Sequence, residues 1–416
     1  LFKDLVQRRP ETPMYAVVPE DLWTVVRREG EVAQVFAELG RRSLIDVDET
    51  GAERRYRIHR LTQAVIRRRL EGKAQGWAET AAAVVAAGYP GGRANPQYSE
   101  NWPACRGRNG HVAALHVLEG AVRPRGAAMH YLYNQASIYH DAQRQDAVAL
   151  AYAEASLEIV EAQVPPDPRE LGAAYTNLAI RLGRVERFEA AEAAAAKAVE
   201  IGERHDLPQA NMAIRLSNHG MQLRELAGRE GAAERRAALF AQARARYISC
   251  VLLEREAHGV VSRDVASSLN NLGGLHHAAG RAGKAVAMHR AALSKRRRLV
   301  AAGRMAAGDP DLGFSLNNLG GTLLRAGRLA EAEPLLAEAL AIWSAAYDVE
   351  NPAHQSTRAT AGWLAICLAA RDRLEGGAAR AGRVRALCKE RALDPAFVAE
   401  RAERYAAVAR AREGAA

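Results

Sequence analysis

The chain has 416 residues, a formal net charge of +10 and only 6% aromatic residues, with alanine, leucine and arginine dominant. That length predicts two or three domains or one long repeat array, and the small side chains suit many closely packed helices. Four widely spaced cysteines with no CxxC pair argue against a disulfide framework and a zinc ribbon, and no apolar run approaches a membrane span, so a reduced cytoplasmic setting without a membrane partner is expected.

Of the 58 basic residues only six are lysine. An arginine and alanine excess of this kind follows the coding bias of a GC-rich bacterial genome, so the charge by itself does not imply a nucleic-acid partner.

In chain order, residues 1–71 read as helix, helix, hairpin, helix. Val18-Pro19-Glu20-Asp21 opens a helix, Glu31 to Arg42 forms a second amphipathic one, and Ser43 to Val47 alternates as a strand. Thr50-Gly51 supplies the turn, Arg55 to His59 the return strand, and Leu61 to Arg67 the closing helix. This order predicts a winged helix. The helix Glu31 to Arg42 carries Glu31 and Glu38 beside Arg41 and Arg42, a poor face for phosphates, which argues against a DNA-reading role.

The run Arg41-Arg42-Ser43-Leu44-Ile45, followed by Tyr56-Arg57-Ile58-His59-Arg60-Leu61-Thr62-Gln63-Ala64-Val65, resembles the winged-helix end of NB-ARC-type STAND ATPases. In that family a repeat array follows directly, and Asn101-Trp102-Pro103-Ala104-Cys105 to His116 is similar to the helical connector of bacterial members. The resemblance implies a winged helix over 1–71, a connector over 72–125 and a repeat array over 126–416. It also implies an upstream nucleotide-binding domain as partner and a homo-oligomer on activation. Because the chain opens on Leu1 rather than Met, the expectation is that it forms the C-terminal part of a longer polypeptide. The family's Met-His-Asp at the wing is matched by Ile58-His59-Arg60, where only the histidine is kept. The resemblance makes His59 a candidate for sensing the phosphates of bound ADP.

Catalysis is not expected within the chain. No GxxxxGK[ST] loop occurs, and Gly280-Arg281-Ala282-Gly283-Lys284 is too short, so ATP or ADP would enter only through the upstream domain. No GxSxG or HExxH motif is present. Cys105, His111 and His116 are irregularly spaced and lack a fourth ligand, so no metal or other cofactor is assigned to the chain.

From about residue 126 one signature recurs: Tyr131-Leu-Tyr-Asn134-Gln-Ala136, Tyr175-Thr-Asn177-Leu-Ala179, Leu216-Ser-Asn218-His-Gly220, Leu269-Asn-Asn271-Leu-Gly273 and Leu316-Asn-Asn318-Leu-Gly320. A worn sixth copy reads Trp363-Leu-Ala365. The small residues are spaced by 43, 41, 53, 47 and 45 positions, a helical-repeat period. Twelve positions past the small residue lie Ala191, Ala285 and Ala332, and seven further on Ala198, Ala292 and Ala339, where two helices of a hairpin would cross closely. Gly183, Gly280 and Gly327 are expected to stop the first helices. These are tetratricopeptide positions, and the long period resembles that of kinesin light chains. The fold expected is therefore a mainly α, right-handed tetratricopeptide solenoid of about six repeats, with the insertion at 228–236 bulging from one face.

First helices of such an array line its concave side. Asn134, Asn177, Asn218, Asn271 and Asn318, with Asn270 and Asn317 as a second column, are expected to face that groove and hold the backbone of a protein or peptide ligand. The alternative is that each asparagine bonds a neighbouring helix and fixes the stack. Arg181 and Arg325, with Arg215 and Arg224, lie within a turn of these positions and would favour an acidic ligand. The run Lys295-Arg-Arg-Arg298 reads as structural, complementing a helix dipole. A free-standing scaffold and a winged-helix DNA-binding regulator are the alternatives to a signalling arm.

Overall fold

The computed structural model describes residues 4–5, 7–8, 12, 14–28, 31–48, 55–70, 72–92, 95–96, 101–118, 122–346 and 355–414. The chain forms a mainly α repeat protein with two compact units, residues 1–201 and 202–416.

The first unit opens with α1 (Glu20–Arg27), α2 (Glu31–Arg41), β1 (Ile45–Asp48), β2 (Arg55–Ile58) and α3 (Arg60–Arg69). The strands pair antiparallel, with Ile45 opposite Ile58 and Val47 opposite Tyr56. The turn expected at Thr50-Gly51 lies outside the described residues. Next come α4 (Ala74–Gly88), α5 (Trp102–His116), α6 (Ala127–Ala142), α7 (Asp146–Glu161), α8 (Pro168–Arg184) and α9 (Phe188–Arg204). One apolar core joins Trp23 and Val26 of α1 to Ala82–Ala87 of α4, Cys105 of α5, Leu132 of α6 and Tyr152 of α7. The leading helix and the connector thus share a core with the first repeat, because α4 is alanine-rich enough to be covered on most of its surface. By contrast α2, although amphipathic, has no buried residue; its Phe36 stacks on Tyr56 with ring centres 4.1 Å apart.

The second unit stacks antiparallel helix pairs: α10 (Gln209–Arg229) with α11 (Ala233–His258), α12 (Arg263–Ala278) with α13 (Ala282–Ala301), and α14 (Pro310–Arg325) with α15 (Leu329–Ala346). It ends in α16 (Gln355–Glu375), α17 (Ala378–Glu390) and α18 (Pro395–Glu413). Several helix starts follow a side-chain rule. Asp167, Asp309 and Asp394 accept from the amide two residues on, with proline as the first helical residue, and Ser262 accepts from Val265.

The recurring small residues sit where helices meet. Ala136, Ala179 and Ala365 are fully buried, as are Ala191, Ala285 and Ala332 on the second helices. A methyl at Gly220 would fall 3.1 Å from the Tyr247 ring, at Gly273 within 2.6–2.8 Å of the His289 ring, and at Gly320 2.8 Å from Cγ of Leu336. Close approach therefore requires glycine at these crossings.

Two local expectations are corrected. Gly183 does not stop its helix: α8 continues through it to Arg184, and the left-handed residue of the turn is Glu186, at φ 61°. Gly280 and Gly327, both at φ 72°, do end α12 and α14 in the left-handed conformation. The insertion at 228–236 does not bulge as a loop. α10 runs to Arg229, three residues turn, and α11 extends over 26 residues, with Leu239, Ala243 and Tyr247 buried on one side. Its Ala-Glu-Arg-Arg composition favours helix, so the added residues lengthen the pair.

Candidate ligand-binding face

The first helices α12 and α14 carry the same string, Leu-Asn-Asn-Leu-Gly-Gly, at 269–274 and 316–321. Helical geometry separates the two asparagines and the two glycines of each string by about 100°. Asn270, Gly273 and Gly320 turn into the helix crossing. Asn271, Asn318 and Gly274 turn away from it and are half-buried, whereas Gly321 is buried. At Gly274 a methyl would meet only Nη1 of Arg224, at 3.2 Å, and at Gly321 only Nη1 of Arg325, at 3.4 Å.

The predicted asparagines divide accordingly. Asn134 and Asn177 bond each other, Nδ2 of Asn177 donating to Oδ1 of Asn134 at 2.6 Å, which ties α8 to α6. Asn218 donates back to the Ile214 carbonyl at 2.9 Å in its own helix. Asn271 donates to Oγ of Ser217 at 3.1 Å, joining α12 to α10, while Asn317 accepts from Thr360 at 2.9 Å, joining α14 to α16. Asn270 is only 7% exposed, so it lines no groove; it donates to Ser315 at 2.8 Å and meets Nδ1 of His289 at 3.1 Å. Asn318 is half-buried and has no hydrogen-bond partner among the described residues. Most of the column therefore stitches successive first helices together, with unused amide capacity left on the face, since one asparagine offers two donors and one acceptor.

Arg181 also lies elsewhere than expected. It is buried, donates from Nε to Ser137 Oγ at 3.0 Å and lies 2.7 Å from Asp141, bracing α8 against α6. Burial pulls its guanidinium below the usual range and Asp141 opposes the shift. The reason is positional: Arg181 follows the small residue Ala179 by two, on the side of the helix that the stack covers.

Arg325 is half-buried near the end of α14. Its guanidinium stacks 4.4 Å above the ring of Trp363, which occupies the asparagine position in the next helix, and Nη1 reaches only the Gly321 carbonyl at 3.4 Å. Cation–π stacking leaves the edge donors of the guanidinium available to a carboxylate. His277 is nearby; burial, then the Arg325 charge, pushes its pKa down, so at neutral pH it presents an uncharged imidazole.

His59, the nucleotide-sensing candidate, sits between β2 and α3 with Nε2 3.4 Å from Oδ1 of Asp46; both side chains are largely exposed. Cys105 is fully buried, and His116 bonds Tyr133 at 2.9 Å. Among the described residues no three His, Cys, Asp or Glu side chains gather as a metal site, and no helix is long and apolar enough to cross a membrane.

One buried cluster carried only a weak sequence signal. Arg296 is 2% exposed and donates to the Asp311 carbonyl, to Ser315 Oγ at 2.7 Å and to Ser267 Oγ at 3.0 Å. Together with Asn270 and His289 it pins α12, α13 and α14 together. The Lys295–Arg298 run is structural through this inward arginine rather than through the helix dipole alone. Only the phase of Arg296 relative to Ala292, Leu293 and Leu299, all buried, hinted at it.

Three segments match the tetratricopeptide repeat family model, residues 171–205, 265–303 and 315–353. No curated protein matches the chain. Among solved structures the chain is similar to a Rap protein complexed with competence and sporulation factor, at 11% identity and a TM-score of 0.50, covering 84% of this chain and 88% of that one. It is also similar to BtubC (BKLC) from P. vanneervenii, at 22% identity and a TM-score of 0.42, covering 65% and 92%. A third is a STAND protein with a tetratricopeptide repeat sensor from Pyrococcus horikoshii, at 12% identity and a TM-score of 0.49, covering 99% of this chain and 59% of that one. At such identities the likeness to the Rap structure speaks to fold alone, and the repeats themselves are those of the tetratricopeptide type.

Proposed function

We propose that this chain is the ligand-sensing arm of a bacterial STAND-type signalling ATPase, with a protein or peptide bound in a groove lined by the first helices. The observation that carries the binding part is the register of Asn271, Asn318 and Trp363 with Arg325 above it, beside half-buried Gly274. Amide groups that satisfy an extended backbone, a glycine that lets it approach and an arginine edge for a carboxylate suit an acidic peptide. The switch part rests on the sequence resemblance at Arg41–Ile45 and Tyr56–Val65, with His59 as the nucleotide-sensing residue. Binding on the repeats would then release the winged helix from an inhibited arrangement.

Capture of a partner by the full chain, followed by affinity measurement on Asn271→Ala with Asn318→Ala, tests the binding part. Each lost backbone hydrogen bond is worth about 1 kcal/mol, or roughly fivefold in affinity. Unchanged affinity in a normally folded double variant would remove the groove from consideration. The reading frame upstream of Leu1 tests the switch: a Walker A loop there supports it, and its absence leaves a free-standing scaffold.

A further inference from the structure

The second unit carries a cleft between its second helices. Second helices α13 and α15 flank it, and α14 forms its floor with Leu319 and Leu323, 3% and 1% exposed. Its volume is about 650 Å³, and it is open along one side. The stacking of repeats produces such clefts by itself, so the next one provides a reference. Between α15 and α17 lies the equivalent cleft, floored by Leu364, 45 positions after Leu319. Its volume is about 330 Å³, and its charged lining is balanced, Arg383 with Glu390. The first cleft is about twice as large and lined by Arg290, Arg297 and Arg298 against Glu331, with Glu338 reaching Arg297 across it, so arginines still outnumber carboxylates. Size and charge therefore both depart from what repetition supplies.

Three details indicate what would fit there. Arg290 meets Glu331 at 2.6 Å and Arg297 meets Glu338 at 2.8 Å, each pair spanning the cleft from α13 to α15. All four side chains are close to half exposed, where an ion pair is worth at most about 1 kcal/mol, so either arginine can turn to an incoming carboxylate. Arg298 has no ion-pair partner among the described residues. Pro334 lines the cleft from inside α15, where α13 has Ala287, and as proline it lacks the helical N–H donor.

We propose that this cleft binds a short peptide segment of a partner protein in which one large apolar side chain is flanked by carboxylates. The apolar side chain enters over Leu319, Leu323 and Leu335, and the carboxylates meet Arg290, Arg297 and Arg298 at the rim. A peptide is favoured over a free acyl chain because the cleft is open: an anchored side chain leaves the rest of its partner in water, whereas a long acyl chain needs enclosure.

The test uses the full chain and fluorescein-labelled Glu-Glu-Phe-Glu-Glu in fluorescence anisotropy, with Glu-Glu-Ser-Glu-Glu and Lys-Lys-Phe-Lys-Lys as controls. Saturable binding of the first peptide alone is expected. Ser294→Trp, at an exposed position on the cleft wall, should weaken it at least tenfold, and Arg298→Glu at least fivefold, with unchanged circular dichroism. Asn271→Ala with Asn318→Ala should leave it unaltered. Absence of binding, binding indifferent to Ser294→Trp, equal binding of the serine peptide, or loss in the asparagine double variant would each overturn the proposal. Binding of decanoate with none of the peptide would overturn it too. The groove reading stands or falls separately, on its own partner.

Discussion

Adjacent glycines in α12 offer a controlled test of the packing argument. Substituting either with alanine gains about 1 kcal/mol of helix propensity. At Gly274 the added methyl meets only the end of the flexible Arg224 side chain, at 3.2 Å, so the gain should survive as about 0.5–1 kcal/mol of added stability. At Gly273 the methyl falls 2.6–2.8 Å from three atoms of the His289 ring, itself 2% exposed and held by Asn270 at 3.1 Å. The ring must move, losing that hydrogen bond, about 1 kcal/mol, while overpacking adds about 1–3 kcal/mol. After the propensity gain the net loss is about 1–3 kcal/mol. Urea unfolding of the two variants, followed by far-ultraviolet circular dichroism, reads the difference directly as a shift in midpoint at unchanged slope. The pair should differ by about 1.5–4 kcal/mol. If Gly273→Ala proves as stable as Gly274→Ala, the claim that close helix crossing demands glycine at 273 is refuted.

Further outcomes follow from particular residues. Glu186→Gly should stabilise the first unit by about 1 kcal/mol, because Glu186 holds φ 61° without glycine's freedom; thermal melting of the variant checks this, and a lower melting point would show that the Glu186 side chain matters more than its backbone. Burial, then the nearby His277, pushes His289 down to about 4, so it folds uncharged. An unfolded histidine takes its proton near pH 6.5; the stability from this site is therefore complete above that pH and is lost as pH falls from 6.5 towards 4, by at most about 1.4 kcal/mol per unit. Unfolding midpoints between pH 7 and 4 measure the slope, and His289→Gln should flatten it. Burial pushes the thiols of Cys250 and Cys367 up to about 12, so neither should react with a thiol reagent at pH 8 until the chain unfolds; rapid modification of either in the native protein would contradict the packing described.

What could be read in advance was set by periodicity. A small residue returning every 41 to 53 positions, with alanines at fixed offsets, has one economical explanation, paired helices crossing closely, and Gly220, Gly273 and Gly320 lie at such crossings. Glycine stops were legible where the chain needs positive φ, at Gly280 and Gly327, and misleading at Gly183, since Glu186 adopts that conformation under tertiary constraint. The helix-forming composition around 228–236 outweighed its two glycines, so the insertion became part of a long pair.

The sequence by itself determined the repeat, the pairing of its helices and the column of asparagines. Only the tertiary structure decided what each polar side chain does, because the direction of a side chain depends on helix phase and on which neighbour covers it. One residue separates Asn270, enclosed with Ser315 and His289, from Asn271, half-buried beside Ser217. Arg181 and Arg325 are both arginines near the signature, yet one is spent on Asp141 and the other lies over Trp363. Arg296 sits in a run of four basic residues, and packing alone turned it inward to fasten three helices. Residue type is local information, whereas burial is a property of the stack.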